Sequence, residues 1–310
     1  MKIVRNKMGC EDMQPCTFPE FRAACVETVK RWRDGDGGAE IFVPIRNMTA
    51  ALTQSAEIGG EFIDALLNSG LIGIICMALS PIHEDNENMI LDCLWILINV
   101  FSITDQQRLR NVVSTGVLNC VVGLFEEWAA SPGSGFVVNP EKVELGLWVL
   151  RNAVLDSPAV RDILIEKRLL TALNATLRIL VNQKADLTKV EEEACNLICC
   201  WIRVKSQTHS FTSVTSILTQ YQPLLYVIIN LLDSTTLADF YVLKTLRALG
   251  TLVREAELEN FSILVRLDVH GMLVERLKNP DLDKKIKALC LLIIAELSGD
   301  PRDDSVSLVA

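Results

Sequence analysis

Long apolar runs are missing from this chain. None of its 310 residues belongs to a run of 18 consecutive apolar side chains, so no membrane span is expected. The longest runs, Leu71–Leu79 and Leu289–Ala295, suit buried helices. Aromatic residues make up only 6%, and Leu, Ile, Val and Ala carry the apolar load. That balance favours helix packing over a β-sandwich. Histidine is scarce: His83, His209 and His270 lie far apart and build no metal centre. Dense basic runs are absent too, which argues against direct nucleic-acid contact. The one Gly-rich loop, Asp34-Gly-Asp-Gly-Gly38, lacks the spacing that cradles phosphate. No triad, metal or phosphate signature is present, so an enzyme is not expected, and neither is a cofactor. Acid pairs such as Glu126-Glu127 are adjacent on a helix and point apart. The start of the chain is charged and has no apolar core, so no secretory signal is expected. Met8-Gly9-Cys10 resembles an acylation start, but Met13 stands where a Ser or Thr belongs.

Half of the residues are hydrophobic, enough for two ordinary domains or one extended repeat domain. The net charge of −9 suits a basic peptide partner. The 10 cysteines, with no signal segment, read as free thiols in a reducing compartment. Cys195, Cys199 and Cys200 cluster, but without the paired spacing of a zinc site.

One apolar stripe recurs along the chain. Leu94, Leu97, Ile98 and Phe101 fall at i, i+3, i+4 and i+7, one face of a helix. The spacing returns as Leu147, Leu150, Arg151 and Val154, where Arg151 breaks the stripe. It returns again as Cys195, Ile198, Cys199 and Ile202, as Leu246, Leu249, Gly250 and Val253, and as Cys290, Ile293, Ile294 and Leu297. A weaker first copy is Met48, Ala51, Leu52 and Ser55. Successive stripes start 46, 53, 48, 51 and 44 residues apart. HEAT and armadillo repeats have periods near these values, and the excess fits loops such as Pro81–Glu87 and Ser131–Gly135. Gly70, Gly116 and Gly271 each precede or open an apolar run and fit helix ends or tight interhelical turns. On this reading Cys195, Cys199 and Cys290 are small core residues between repeats.

The expected architecture is an all-α, right-handed armadillo/HEAT-type α-solenoid of about six repeats. Thr17-Phe-Pro-Glu20 resembles a capping box and opens a helix to about Arg33. Three parts follow: an N-terminal segment with a capping helix (1–38), the repeat domain (39–300) and a flexible tail (301–310).

Trp95 and Asn99 are four residues apart, as are Trp148 and Asn152. At that spacing each pair shares a helical face, and the two pairs hold the same place in consecutive repeats. Equivalent positions of a stacked solenoid form a ladder. An Asn amide can bond an extended peptide backbone, and an indole face can receive the stem and cation of Lys or Arg. Carboxylates flank the ladder: Asp92, Glu144, Asp156 and, in the Glu191-Glu-Glu193 run, Glu193. Such groups select Lys or Arg. Asn196 takes the Trp place in the next repeat. The candidate peptide-binding set is therefore Trp95, Asn99, Trp148, Asn152, Asp156, Asp92, Glu144, Glu193 and Asn196.

This ladder resembles that of importin-α, the armadillo adaptor for nuclear localisation signals. The local match is best in Leu147-Trp-Val-Leu-Arg-Asn-Ala-Val-Leu-Asp-Ser-Pro158 with Arg161-Asp162, and next in Leu94-Trp-Ile-Leu-Ile-Asn-Val-Phe-Ser-Ile-Thr104. The repeat-level match covers about residues 40–300, and the specific motif two repeats. The resemblance implies a concave groove lined by Trp95, Asn99, Trp148 and Asn152, with Asp156 pairing the main lysine of a basic linear signal. It also implies a nuclear transport carrier as second partner and work in cytoplasm and nucleus. There are departures. Ile103 and Arg108 stand where the family has the small Gly and the Thr of its lysine pocket, and Arg108 is expected to reach Asp156. The third ladder position is Asn196 and Cys200, and the next is Arg247 and Thr251. Lys2, Arg5 and Lys7 are too few for an importin-β-binding segment, so another route to the carrier is expected. The competing expectation is a cytoplasmic armadillo scaffold with no role in transport.

Overall fold

The computed structural model describes residues 16–299 except 37, 39, 54–59, 81–86, 131–136, 156, 204–213 and 255–257. Among the described residues there are sixteen helices and no strand. In order they are α1 (Phe18–Arg33), α2 (Val43–Leu52), α3 (Glu61–Ser69), α4 (Leu71–Ala78), α5 (Glu87–Ile103), α6 (Gln106–Ser114), α7 (Val117–Ala130) and α8 (Pro140–Val154). Then come α9 (Pro158–Glu166), α10 (Leu169–Asn182), α11 (Thr188–Arg203), α12 (Val214–Asp233), α13 (Asp239–Arg254), α14 (Leu258–Arg266), α15 (Val269–Leu277) and α16 (Lys284–Ser298). None is long and apolar enough to cross a membrane on its own. The loops expected at 81–87 and 131–135 fall almost wholly outside the described residues, as does the tail 301–310.

The chain divides into two compact units, Met1–Glu193 and Ala194–Ala310. The first holds three full triplets or most of them: α3, α4 and α5; α6, α7 and α8; and α9, α10 and the start of α11. Each triplet has a short first helix, a second helix and a third that carries the stripe. Third helices pack on third helices (α2 on α5, α5 on α8), and second helices on second helices (α4 on α7, α7 on α10). In the second unit α13 packs on α16, and α14 and α15 complete the last triplet. Burial follows the stripe: Leu94, Leu97, Phe101, Leu147, Leu150, Cys195, Leu246, Leu249, Cys290 and Ile293 are all buried. Cys199, Ile202, Ile294 and Leu297 are half-buried at its edge.

Local chemistry sets the ends. Glu20 Oε2 accepts from the Thr17 N–H at 2.9 Å and from its hydroxyl at 2.8 Å, so the carboxylate half of the expected box opens α1. The helix α1 packs against α2, α3 and α4. Asp105, Asn139 and Asp283 cap α6, α8 and α16 by accepting backbone N–H bonds. Gly70 and Gly116, at φ +81° and +83°, turn the chain between first and second helices of their triplets. Gly271 does not repeat this. There the left-handed residue is Asp268 at φ 49°, whose carboxylate caps the Gly271 N–H at 3.0 Å, and Gly271 lies inside α15. An Asp tolerates that conformation when its side chain bonds locally, so the turn moved three residues upstream of the glycine.

Candidate peptide-binding face

The third helices α5, α8 and α11 carry the first three ladder positions, and α2 packs on α5. The helix α8 is buried from Lys142 to Val154 and packs on α5, α7 and α9. The registration expected from sequence is present: the Trp95 and Trp148 rings meet edge-to-face with centroids 5.5 Å apart. They are not equally available. Trp95 is half-buried, whereas Trp148 is only 2% exposed. The expectation that both indoles stand free in a common trough fails at Trp148, which packs against Trp95 and lies under Arg151. Its guanidinium lies over the Trp148 ring, 5.5 Å from the centroid, and donates to Glu193 Oε2 at 2.6 Å. Arg151 and Glu193 are 6% and 4% exposed.

The amides are also engaged. Asn99 Nδ2 donates to Thr49 Oγ1 and Asn152 Nδ2 to the Ile98 carbonyl, each at 3.3 Å. Each therefore bridges to the preceding third helix. Two polar atoms on α8 remain without a hydrogen-bond partner among the described residues, Trp148 Nε1 and Asn152 Oδ1, both fully enclosed. An orphaned buried group costs about 1–3 kcal/mol, so this pair marks a place where the fold is not self-satisfied.

Two acids of the flank, Asp92 and Glu193, are held by the chain's own cations. Asp92, buried on α5, accepts from Arg46 Nη1 on α2 at 2.5 Å. Burial pushes the Asp92 carboxyl up, and Arg46 opposes the shift. Glu193 holds Arg151. At the third ladder position Asn196 Oδ1 accepts from Lys244 Nζ on α13 at 3.0 Å, and that ammonium lies 4.5 Å from the Phe240 ring centroid and 5.4 Å from that of Tyr241. Glu144 is buried beside Trp148 on α8 and has an interaction partner. Lys142, also buried, pairs with Glu87 at 3.2 Å. Asp156, expected to meet the main lysine, lies outside the described residues.

Arg108, expected to reach Asp156, is bonded to Asp64 and Asp105 among the described residues. Its guanidinium donates to both Asp64 oxygens, at 3.2 and 3.1 Å, and to Asp105 at 2.5 Å. It thereby ties α6 to α3, and Gly60 leaves the space that its side chain fills. Ile103 is half-buried at the end of α5. Sequence reasoning missed Arg46, Lys244 and the role of Arg151, although for Arg151 a signal existed. Arg46–Asp92, Arg151–Glu193 and Lys244–Asn196 are 46, 42 and 48 residues apart, one repeat each. For Arg151 the signal is a lone cation in an apolar stripe with an acid about one period on; Arg46 and Lys244 lie off the stripe and carried no such mark. Among the described residues no group of three His, Cys, Asp or Glu side chains could hold a metal ion.

No protein-family model matches the chain, and no curated protein does. Solved structures with the same fold exist. A designed armadillo repeat protein in complex with the peptide (KR)4 superposes with a TM-score of 0.58 at 16% identity, over 90% of this chain and 99% of that one. A computationally designed armadillo repeat protein for modular peptide recognition gives 0.60 at 16% identity, over 88% and 99%. A further designed armadillo repeat protein gives 0.55 at 15% identity. The chain is thus an all-α solenoid of armadillo type.

Proposed function

We propose that the chain is a non-catalytic armadillo scaffold that binds proteins, and that its third-helix face is closed to basic peptides in the resting state. One observation carries this reading: four members of the expected peptide-binding set are already held by cations of the chain itself. Arg46 sits on Asp92, Arg151 on Trp148 and Glu193, and Lys244 on Asn196. A partner's lysine or arginine would have to displace a bond already made, and the net gain of such an exchange is small. Non-transport assembly of proteins fits this closed face. Titration of labelled (KR)4 peptide by fluorescence anisotropy tests it. The native chain should bind more weakly than about 100 µM. Micromolar or tighter binding that Trp148→Ala with Asn152→Ala abolishes would sink the closed-face reading.

A second reading has its own support. The indoles of Trp95 and Trp148 are in register, and Trp148 Nε1 and Asn152 Oδ1 are orphaned. The designed neighbour that holds (KR)4 shares the fold. On this reading the chain is an adaptor for basic linear motifs of the nuclear-localisation type, serving cytoplasm and nucleus with a transport carrier. The same titration separates the two.

A further inference from the structure

We propose that Arg151 is an internal occupant of a cation subsite formed by Trp148 and Glu193, in the place that a lysine or arginine of an extended peptide would take. This deepens the closed-face reading and rests on it. The subsite has the parts that recognise a guanidinium. An aromatic face lies 5.5 Å from the cation, and a buried carboxylate accepts from it at 2.6 Å. The cation itself is out of place. Arg151 stands at the stripe position held by Ile98 and Cys199 in the adjacent repeats, so packing alone would put an apolar residue there.

A second, independent observation points to a ligand. On α8, one turn apart, an indole donor and an amide acceptor are enclosed and unpartnered, Trp148 Nε1 and Asn152 Oδ1. An extended peptide backbone offers the two complementary groups, a carbonyl for the indole and an N–H for the amide. The residues that bear them are each 2% exposed, and the Arg151 guanidinium lies over the Trp148 ring, so its departure is the step that would uncover the indole. Self-occupation thus sets specificity: basic peptides are refused while Arg151 is bound.

The test is (KR)4 binding to native chain, Arg151→Ala and Arg151→Gln, with far-UV circular dichroism and thermal melts as folding controls. Arg151→Gln keeps the Cβ–Cδ stem and a polar end but removes the guanidinium, so it decides the question if Arg151→Ala fails to fold. Loss of the guanidinium should tighten binding by about tenfold or more, and adding Trp148→Ala should remove the gain. A folded variant that binds no better than native chain overturns the inference while leaving the closed-face reading intact. Native chain that already binds at micromolar affinity overturns both.

Discussion

At the scale of single residues, cations and thiols make most of the contacts that the sequence hides. The Cys76 thiol on α4 and the Cys120 thiol on α7 influence each other across adjacent triplets, and both are half-buried. The neighbouring Cys76 thiol lowers the Cys120 thiol to about 7, against the opposing effect of burial, and Cys76 is raised in turn. Above that pH the thiolate dominates and is the reactive form. Alkylation of Cys120 by iodoacetamide, followed by peptide mass spectrometry, should therefore reach half its maximal rate near pH 7. Cys76→Ala should move that midpoint up toward the ordinary thiol range of about 8.5. An unmoved midpoint would show that Cys76 is not the cause. The sequence identified the cysteines of the stripe as core, and Cys195 and Cys290 are buried. It said nothing of Cys76 and Cys120, because two thiols 44 residues apart announce a contact only once the repeat register is known.

At the scale of the helix, packing between second and third helices decides tolerance. Gly146 lies buried inside α8, and a Cβ there would stand 3.0 Å from Phe125 Cε2 and 3.2 Å from its Cζ. Phe125 is fully buried and packs edge-on against Trp128, with centroids 5.0 Å apart, so it has little room to yield. Overpacking of this kind costs about 1–3 kcal/mol, and the helix propensity gained from Gly to Ala is about 1 kcal/mol. Gly146→Ala should therefore lose about 1 kcal/mol in urea unfolding, and a gain in stability would contradict the packing described. Stripe periodicity located every third helix, since burial against a neighbouring helix imposes the 3.6-residue period. Helix ends were less legible. Gly70 and Gly116 turned where glycine was expected, but Asp268 took the left-handed turn near Gly271 by supplying its own cap.

At the scale of the molecule, each third helix bonds to another one period away, and stability in such a chain sums repeat and interface contributions. The armadillo architecture was readable because a period of 44–53 residues survives in the apolar pattern. The ladder residues were readable too, in place but not in state. Helical spacing puts Trp148 on the shared face, yet spacing cannot show that Arg151 covers it. Arg151 on α8 and Glu193 on α11 join successive repeats, and on the closed-face reading their bond holds the guanidinium over Trp148. A double-mutant cycle on this pair, with Arg151→Ala, Glu193→Gln and the double variant compared by urea unfolding, measures that bond directly. The account predicts a coupling of about 2 kcal/mol or more, as for close, buried charge pairs; a coupling below about 0.5 kcal/mol would place Arg151 off Glu193 in solution and leave the face open.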